Sequence, residues 1–156
     1  YNSLLHVVGS AEDALDVVQD AFVQAFVKLD SFQGSSAFYT WLYRIAMNTA
    51  VSHHRRSKPT ASMVAARAAT GCEPVDPGGG PEEQVLQDER SAQVWEALAA
   101  LSDEHRTILV LREIDGLDYE TIAEVLDLPV GTVRSRIHRA RMQLKEQLKT
   151  VFQEYP

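Results

Sequence analysis

Residues 118–141 read DYETIAEVLDLPVGTVRSRIHRAR, and this stretch decides the fold of the second half of the chain. Asp118 is placed to cap a short helix through Leu126, because an aspartate side chain accepts hydrogen bonds from the first turn of a helix. A break with Leu128 and Pro129 follows, and a longer helix begins directly after it. This order predicts a helix-turn-helix, whose second helix enters the major groove of DNA.

The longer helix carries an apolar stripe and a basic face. The stripe recurs at spacings of three and four, as on a buried helix face, and consists of Val133, Ile137, Ala140, Leu144, Leu148 and Val151. The polar face is formed by Arg134, Ser135, His138, Arg139, Arg141 and Lys145. Arginines in a major groove pair with guanine or phosphate, so this face is a candidate DNA contact. A merely solvated face is the alternative, and the absence of acids from Leu128 to Lys145 disfavours it.

The net charge of −7 is unevenly distributed along the chain. Two windows contain basic side chains but no carboxylate, namely Ser31–Cys72 and Leu128–Lys145. The rest of the chain is acidic. Such islands are typical of two separate contacts with a polyanion, on a protein that otherwise repels polyanions.

Aromatic residues are concentrated inside the first of these windows, at Phe32, Phe38, Tyr39, Trp41 and Tyr43. Unpaired nucleic-acid bases stack on aromatic rings, so rings beside cations favour binding to single strands. The alternative is that all five rings belong to the core. The helical spacing places Phe38 and Trp41 toward the apolar stripe of this helix, and Tyr39 and Tyr43 on another face.

The first half reads as helices. One helix ends at Gly9, and Ser10 caps the next, which runs to about Asp30. The predicted core stripe of that second helix is Leu15, Val18, Phe22, Ala25 and Leu29, and its other face is acidic. Ser36 caps a third helix, from Ala37 to about Arg56, with Phe38, Leu42, Ile45 and Thr49 on one side.

Proline and glycine are dense between Ser57 and Pro81, which predicts a flexible linker over residues 57–84. Every other predicted element is a helix, and no stretch alternates with the period of a strand. The sequence therefore predicts an all-α fold of two small helical domains, residues 1–56 and 85–156, joined by that linker.

Several classes of protein are disfavoured. No apolar run is long enough to cross a bilayer, and the first ten residues do not resemble a signal peptide. The single Cys72 allows neither an internal disulfide nor a cysteine zinc site, which fits a reducing cytoplasm. His53 and His54 are adjacent, so they point about 100° apart on a helix and cannot close on one ion. We therefore expect that the protein is not an enzyme and binds no metal or cofactor. Because the chain starts at Tyr1, we also expect that an upstream segment is missing.

Two motifs together resemble a known family. Residues 36–48 read SAFYTWLYRIAMN, and residues 117–123 (LDYETIA) and 129–141 (PVGTVRSRIHRAR) follow in the family's order. This pattern is similar to that of bacterial sigma factors of the extracytoplasmic-function (ECF) group, and it covers nearly the whole chain. The resemblance implies an initiation subunit that gives core RNA polymerase its promoter specificity.

The resemblance also implies roles for individual residues. The residues that would bind and melt the minus-ten element are Phe38, Tyr39, Trp41, Arg44 and Asn48, with Arg55 and Arg56 on backbone phosphates. The loop from Phe32 to Ala37 would hold a flipped base. The residues that would approach the minus-thirty-five element are Thr132, Arg134, Ser135, His138 and Arg139.

Partners follow from the same resemblance. Asp16, Gln19 and Asp20 share a helix face that would dock on the coiled coil of the polymerase beta-prime subunit. The second domain would hold the beta-flap tip, and an anti-sigma factor is the further expected partner. The remaining alternative is a free-standing helix-turn-helix regulator, which explains residues 118–141 equally well but leaves the aromatic helix unexplained.

Overall fold

The computed structural model describes the backbone of residues 1–56 and 81–154, and the side chains of residues 1–56 and 90–149. The α-helices are α1 (Asn2–Val8), α2 (Ala11–Val27), α3 (Phe38–Arg56), α4 (Pro81–Ala99), α5 (Asp103–Leu109), α6 (Tyr119–Leu126) and α7 (Val130–Glu154). A 3-10 turn, Leu29–Ser31, follows α2, and a π-helical turn, Val110–Ile114, extends α5. The described residues contain no strand, which confirms the all-α prediction.

The predicted linker lies mostly outside the described residues, at 57–80. Residues 81–84, which the predicted linker includes, form the start of α4, where the proline and the two glutamates at 81–83 suit the first turn of a helix. Proline suits the first position of a helix, because its missing N–H has no intrahelical partner there in any case.

Helix ends follow the capping residues. Ser10 accepts a hydrogen bond from the Asp13 amide at 3.4 Å, and Asp118 accepts one from the Thr121 amide at 2.7 Å. Gly9 ends α1 in the left-handed conformation, with φ of 78°. The turn of the helix-turn-helix places Asp127 in the same region, with φ of 56°, a conformation that aspartate tolerates better than most side chains. These local signals mark the end of α1, the start of α2 and both ends of α6, whereas α3 begins at Phe38, one residue after the predicted start.

The predicted core stripe of α2 is wrong in part. The buried residues are Ala14, Val17, Ala21 and Ala25. The side chains of Leu15, Phe22 and Leu29 are exposed instead. Periodicity could not choose between these faces, because both are apolar at helical spacing. Small alanines allow α3 to pack closely against α2, and this decides which face is buried.

The two halves of the chain share one hydrophobic core. Leu4, Leu5 and Met47 from the first half belong to the same buried cluster as Ile108 and Ile122 from the second. Helix α3 packs directly against α6, the first helix of the helix-turn-helix. This packing was not predictable from the sequence, since nothing in a linear pattern shows which two apolar faces meet.

Candidate nucleic-acid interface

Helix α7 is oriented by its buried stripe. Val133, Ile137 and Ala140 are fully buried against the rest of the second half. The opposite side of the helix presents exposed residues, namely Arg134, Ser135, His138 and Arg139, with Thr132 half-buried beside them. Every residue predicted for the minus-thirty-five element therefore lies in the N-terminal half of one helix, which is the part that enters a major groove in this motif.

Hydrogen bonds within α7 hold some of these side chains in place. The Ser135 hydroxyl donates to the Thr132 carbonyl at 3.0 Å. The Arg139 guanidinium donates from Nε to the Ser135 carbonyl at 3.3 Å. Arg139 thus lies along the helix surface, with its remaining N–H groups available to a base or a phosphate.

Tyr119 and Arg112 join this face, although the sequence analysis did not single them out. The guanidinium carbons of Arg112 and Arg134 lie 5.0 Å and 5.8 Å from the centroid of the Tyr119 ring. Both distances are within the range of cation–π attraction. The position of Tyr119 in the sequence could have indicated its place on this face. It lies in the first turn of α6, which faces the start of the recognition helix in a helix-turn-helix.

Arg141 differs from its neighbours because it has a carboxylate partner. Its guanidinium donates to Glu113 from Nη2 at 2.6 Å and from Nε at 2.9 Å. This pairing raises the pKa of Arg141 above its ordinary value. A phosphate would have to compete with Glu113 for this guanidinium, which weakens Arg141 as a DNA contact relative to Arg134 and Arg139.

The aromatic residues of the first half form two groups. Phe32, Phe38 and Trp41 make a cluster with ring centroids 5.3 to 5.6 Å apart. Phe38 is 50% exposed, so the expectation that its side chain lies in the core is wrong. Phe38 is the first residue of α3, whereas Trp41, in the same turn, is partly buried against the cluster that contains Ile45. An open ring cluster of this kind offers faces on which a base could stack.

Tyr39 and Tyr43 form the second group, stacked with centroids 5.5 Å apart. Tyr39 is 65% exposed, whereas the hydroxyl of Tyr43 donates a hydrogen bond to Asp115 in the second half. Burial, together with this bond, raises the pKa of Tyr43 above its usual value. Only Tyr39 of this pair is therefore open to an external ligand.

The other α3 residues predicted to contact DNA are three arginines and one asparagine. Asn48, Arg55 and Arg56 are exposed, as a phosphate contact requires. Arg44 lies 3.3 Å from the carboxylate of Asp127, in the turn of the helix-turn-helix. This contact places a residue predicted for the minus-ten element against the motif predicted for the minus-thirty-five element.

Helix α2 presents a surface of a different character. Asp16, Gln19 and Asp20 are all exposed. Beside them is an apolar ridge made of Leu15, Phe22, Val23, Phe26 and Val27, in which Phe26 is 81% exposed. Exposed apolar residues in one contiguous patch mark protein interaction sites. The acidic residues were predicted from the sequence as a docking face, whereas Leu15 and Phe22 of the ridge were predicted to lie in the core.

A groove runs between the end of α5 and the C-terminal part of α7. Its apolar lining residues are Leu109, Leu144 and Leu148, and its charged lining residues are Glu113, Arg141, Lys145 and Lys149. Among the described residues, no three histidine, cysteine or acidic side chains could hold a metal ion together. No helix in residues 1–56 and 81–154 is long and apolar enough to cross a membrane.

A basic recognition helix in a helix-turn-helix, together with an aromatic, basic helix, is typical of a nucleic-acid-binding protein. Residues 1–60 match the family described as Sigma-70 region 2, and residues 91–144 match Sigma-70, region 4. The RNA polymerase sigma-H factor of Pseudomonas aeruginosa is 44% identical over 156 residues, covering 97% of this chain and 81% of that protein. The ECF RNA polymerase sigma-E factor of Escherichia coli strain K12 is 46% identical over 138 residues, covering 83% of this chain and 70% of that protein.

Solved structures agree with the sequence relatives. The sigma factor RpoE of Bartonella quintana, determined in complex with the anti-sigma factor NepR, superposes with a TM-score of 0.67 at 26% identity, covering 95% of this chain and 88% of that one. CnrH, in complex with the cytosolic domain of CnrY, superposes with a TM-score of 0.64 at 28% identity, covering 95% of this chain and 81% of that one. The chain belongs to the sigma-70 family of RNA polymerase sigma factors and, within it, to the ECF group.

Proposed function

We propose that this sigma factor acts in the cytoplasm, without enzymatic activity of its own, by binding core RNA polymerase and delivering it to promoters through two separate DNA contacts. The observation that carries this proposal is the presence of two different nucleic-acid surfaces on one chain. One is an open aromatic cluster suited to single strands, and the other is a basic recognition helix suited to duplex DNA.

The minus-thirty-five contact is assigned to α7. Arg134 and Arg139 supply forks for guanine or phosphate, and Thr132, Ser135 and His138 lie between them on the exposed face. Tyr119 supports this surface by holding the Arg134 guanidinium over its ring. Arg141 is a weaker contributor because Glu113 competes for it.

The minus-ten contact is assigned to the start of α3 and the loop before it. Phe32, Phe38 and Trp41 offer ring faces to unstacked bases, and Tyr39 adds a further exposed ring. Base stacking on aromatic side chains is worth about 1 to 3 kcal/mol per base, and a closed duplex offers no such faces. Melted DNA is therefore the preferred ligand, with Asn48, Arg55 and Arg56 beside its backbone.

The polymerase contact is assigned to α2. Its apolar ridge supplies area for burial, and Asp16 and Asp20, with the polar amide of Gln19 between them, supply negative charge that selects a basic partner. The beta-prime coiled coil is the proposed partner of this surface. The groove between α5 and α7, with three leucines between charged rims, is the proposed site for the beta-flap tip.

An anti-sigma factor is the remaining proposed partner. One solved relative is bound to an anti-sigma factor, and another is bound to the cytosolic domain of CnrY. An anti-sigma factor would inhibit this protein by covering the surfaces proposed to bind DNA and polymerase.

The proposed function is tested by DNA footprinting with and without core polymerase. A sigma factor with a net charge of −7 should protect promoter DNA only when core is added, because its overall charge repels the duplex. A free-standing regulator would protect its operator alone. Tyr39→Ala should reduce opening of the minus-ten region while the upstream footprint is retained, and Arg139→Ala should weaken the upstream footprint.

A further inference from the structure

A carboxylate from outside the recognition helix holds one of the arginines of that helix. Glu113 Oε1 accepts hydrogen bonds from Arg141 Nη2 at 2.6 Å and from Arg141 Nε at 2.9 Å. Both bonds join charged groups, and such bonds are about twice as strong as those between neutral groups. The side chains of Arg141 and Glu113 are 50% and 49% exposed, so the pair lies at the surface and can open without disturbing the core.

The backbone around Glu113 is irregular. Glu113 belongs to the π-helical turn Val110–Ile114 that extends α5. A π-helical turn bonds residue i to residue i+5, so its side chains point in directions that a regular α-helix would not give them. Single turns of this type are rare and are frequent at functional sites. The turn therefore sets the position from which Glu113 reaches across to α7.

Arg141 lies on the same side of α7 as Arg134, because seven residues make almost two helical turns. The guanidinium groups of Arg112 and Arg134 lie against the ring of Tyr119. The pKa of Arg141 is raised mainly by the hydrogen bond to Glu113, and Tyr119 raises it further. Tyr119 is thus shared by three arginines. Within the described part of the chain, Arg141 is the one of the three that has a carboxylate ion pair.

An arginine that is paired with a carboxylate contributes little to the binding of a polyanion. Each cation that neutralises a DNA phosphate releases counterions, and this sequence-independent effect supplies nearly all of the non-specific affinity. While Glu113 holds Arg141, the positive charge of that guanidinium is cancelled. Base-edge contacts made elsewhere on α7 keep their strength, because they depend on direct hydrogen bonds in the major groove.

We propose that Glu113 limits the affinity for duplex DNA by withholding Arg141 from a backbone phosphate, an inference that rests on the proposed function. The withheld contact carries no sequence information, so Glu113 weakens binding to promoter and non-promoter duplexes alike. Weaker binding to non-promoter DNA shortens the time that polymerase remains there, since most differences in affinity lie in the dissociation rate. Arg134 and Arg139 still supply the sequence-reading contacts.

The test measures binding of the holoenzyme to two upstream duplexes at several salt concentrations. One duplex comes from a promoter mapped with the wild-type holoenzyme, and the other has that sequence scrambled. At about 50 mM salt, Glu113→Gln should raise the affinity for both duplexes at least about threefold and leave the ratio between them unchanged. One added phosphate contact steepens the slope of log affinity against log salt by about 0.9. The advantage of the variant should therefore shrink about threefold between about 50 and about 200 mM salt.

Two further variants show whether the gain passes through Arg141. The double variant Glu113→Gln, Arg141→Ala should lose most of the gain, because the freed guanidinium is no longer present. Glu146→Gln is the matched control for net charge. Glu146 pairs with Lys149 at 2.9 Å in the C-terminal part of α7, beyond the residues assigned to the minus-thirty-five element. This variant should bind both duplexes with the affinity and the salt slope of the wild type.

An affinity and a salt slope of Glu113→Gln equal to those of Glu146→Gln would overturn the proposal, and so would a gain that persists undiminished in the double variant. A merely structural role of Glu113 predicts a loss of affinity instead of a gain, which would also overturn it. If circular dichroism shows that Glu113→Gln does not fold, Glu113→Asp decides the question. Its shorter carboxylate should hold Arg141 less well and raise the affinity by a smaller factor.

The wild-type protein separates this proposal from the one on which it rests. A wild-type holoenzyme that binds the promoter duplex no better than the scrambled duplex would contradict the minus-thirty-five assignment, whatever Glu113→Gln does. A wild-type preference for the promoter duplex, with no gain in Glu113→Gln, would leave that assignment standing and overturn the role of Glu113 alone.

Discussion

The guanidinium of Arg106, in the second half, donates a hydrogen bond from Nη1 to the main-chain oxygen of Val7, in the first half, at 3.1 Å. The same guanidinium donates to the carbonyls of Leu98, Ala99 and Leu101 at 3.0 to 3.1 Å. Arg106 is only 7% exposed, and burial lowers its pKa below the ordinary value. One buried arginine thus satisfies the end of α4 and ties α1 to it.

Arg106→Ala should lower the free energy of unfolding by at least about 2 kcal/mol, because four main-chain carbonyls each lose a donor and a buried carbonyl left without any donor costs about 1 to 3 kcal/mol. Arg106→Lys should recover little of this loss, since an ammonium cannot reproduce the planar fork. Urea denaturation measures both. Arg136→Ala breaks a partly exposed pair with Glu104 and should cost less than about 1 kcal/mol. Equal losses at the two sites would contradict this account of Arg106.

Acid should destabilise the protein through His6. Its ring stacks on Trp95 with centroids 4.1 Å apart, and its buried Nδ1 has no hydrogen-bond partner. Desolvation lowers the pKa of His6 below 6.5, with Asp115 acting in the opposite direction. The unfolded chain therefore binds this proton more readily than the folded one, so stability is full above pH 6.5 and falls as the pH drops below it.

The variant for this prediction is His6→Phe, which keeps a flat ring against Trp95 but cannot titrate. Its stability should fall less than that of the wild type between pH 7.5 and about 5.5, as measured by urea denaturation across that range. An unchanged pH profile in His6→Phe would remove the assignment.

Phe26→Ala should weaken binding to core polymerase and leave the fold intact. The side chain is 81% exposed, so its removal creates no cavity, but it takes apolar area from the ridge on α2. Asp16→Arg should also weaken binding, by reversing charge beside that ridge. Quantitative pull-down with core measures the loss. Tyr1→Ala, an exposed aromatic outside the ridge, should bind as the wild type does, and similar losses in all three variants would argue against a defined docking surface.

Arg139→Ala should reduce holoenzyme affinity for the minus-thirty-five element by about 1 to 3 kcal/mol if the contact is to a base, and for all sequences alike if it is to phosphate. Arg141→Ala should reduce it less, because Glu113 already neutralises that guanidinium. Binding to matched and scrambled upstream duplexes distinguishes the two kinds of contact. A larger loss in Arg141→Ala than in Arg139→Ala would show that the Glu113 pair breaks on DNA.

Local features of this chain were predictable from the sequence, because capping and turn chemistry depend on a few neighbouring residues. Ser10 and Asp118 mark helix starts, and the stripe containing Val133 and Ile137 gives the orientation of α7. The buried face of α2 was not predictable, since two apolar faces competed and only the packing of α3 decided between them. The Asp115 and Arg106 contacts were also hidden, because their partners lie far away in the sequence.

The most direct test of the sigma function is reconstitution of the full-length chain with core polymerase on genomic DNA, followed by sequencing of transcript 5′ ends. The account predicts start sites that share an upstream pair of elements and that core alone does not produce. Tyr39→Ala should reduce initiation at these sites, since its exposed ring is assigned to melted DNA. Start sites identical to those of core alone, or unaffected by Tyr39→Ala and Arg139→Ala together, would contradict the account.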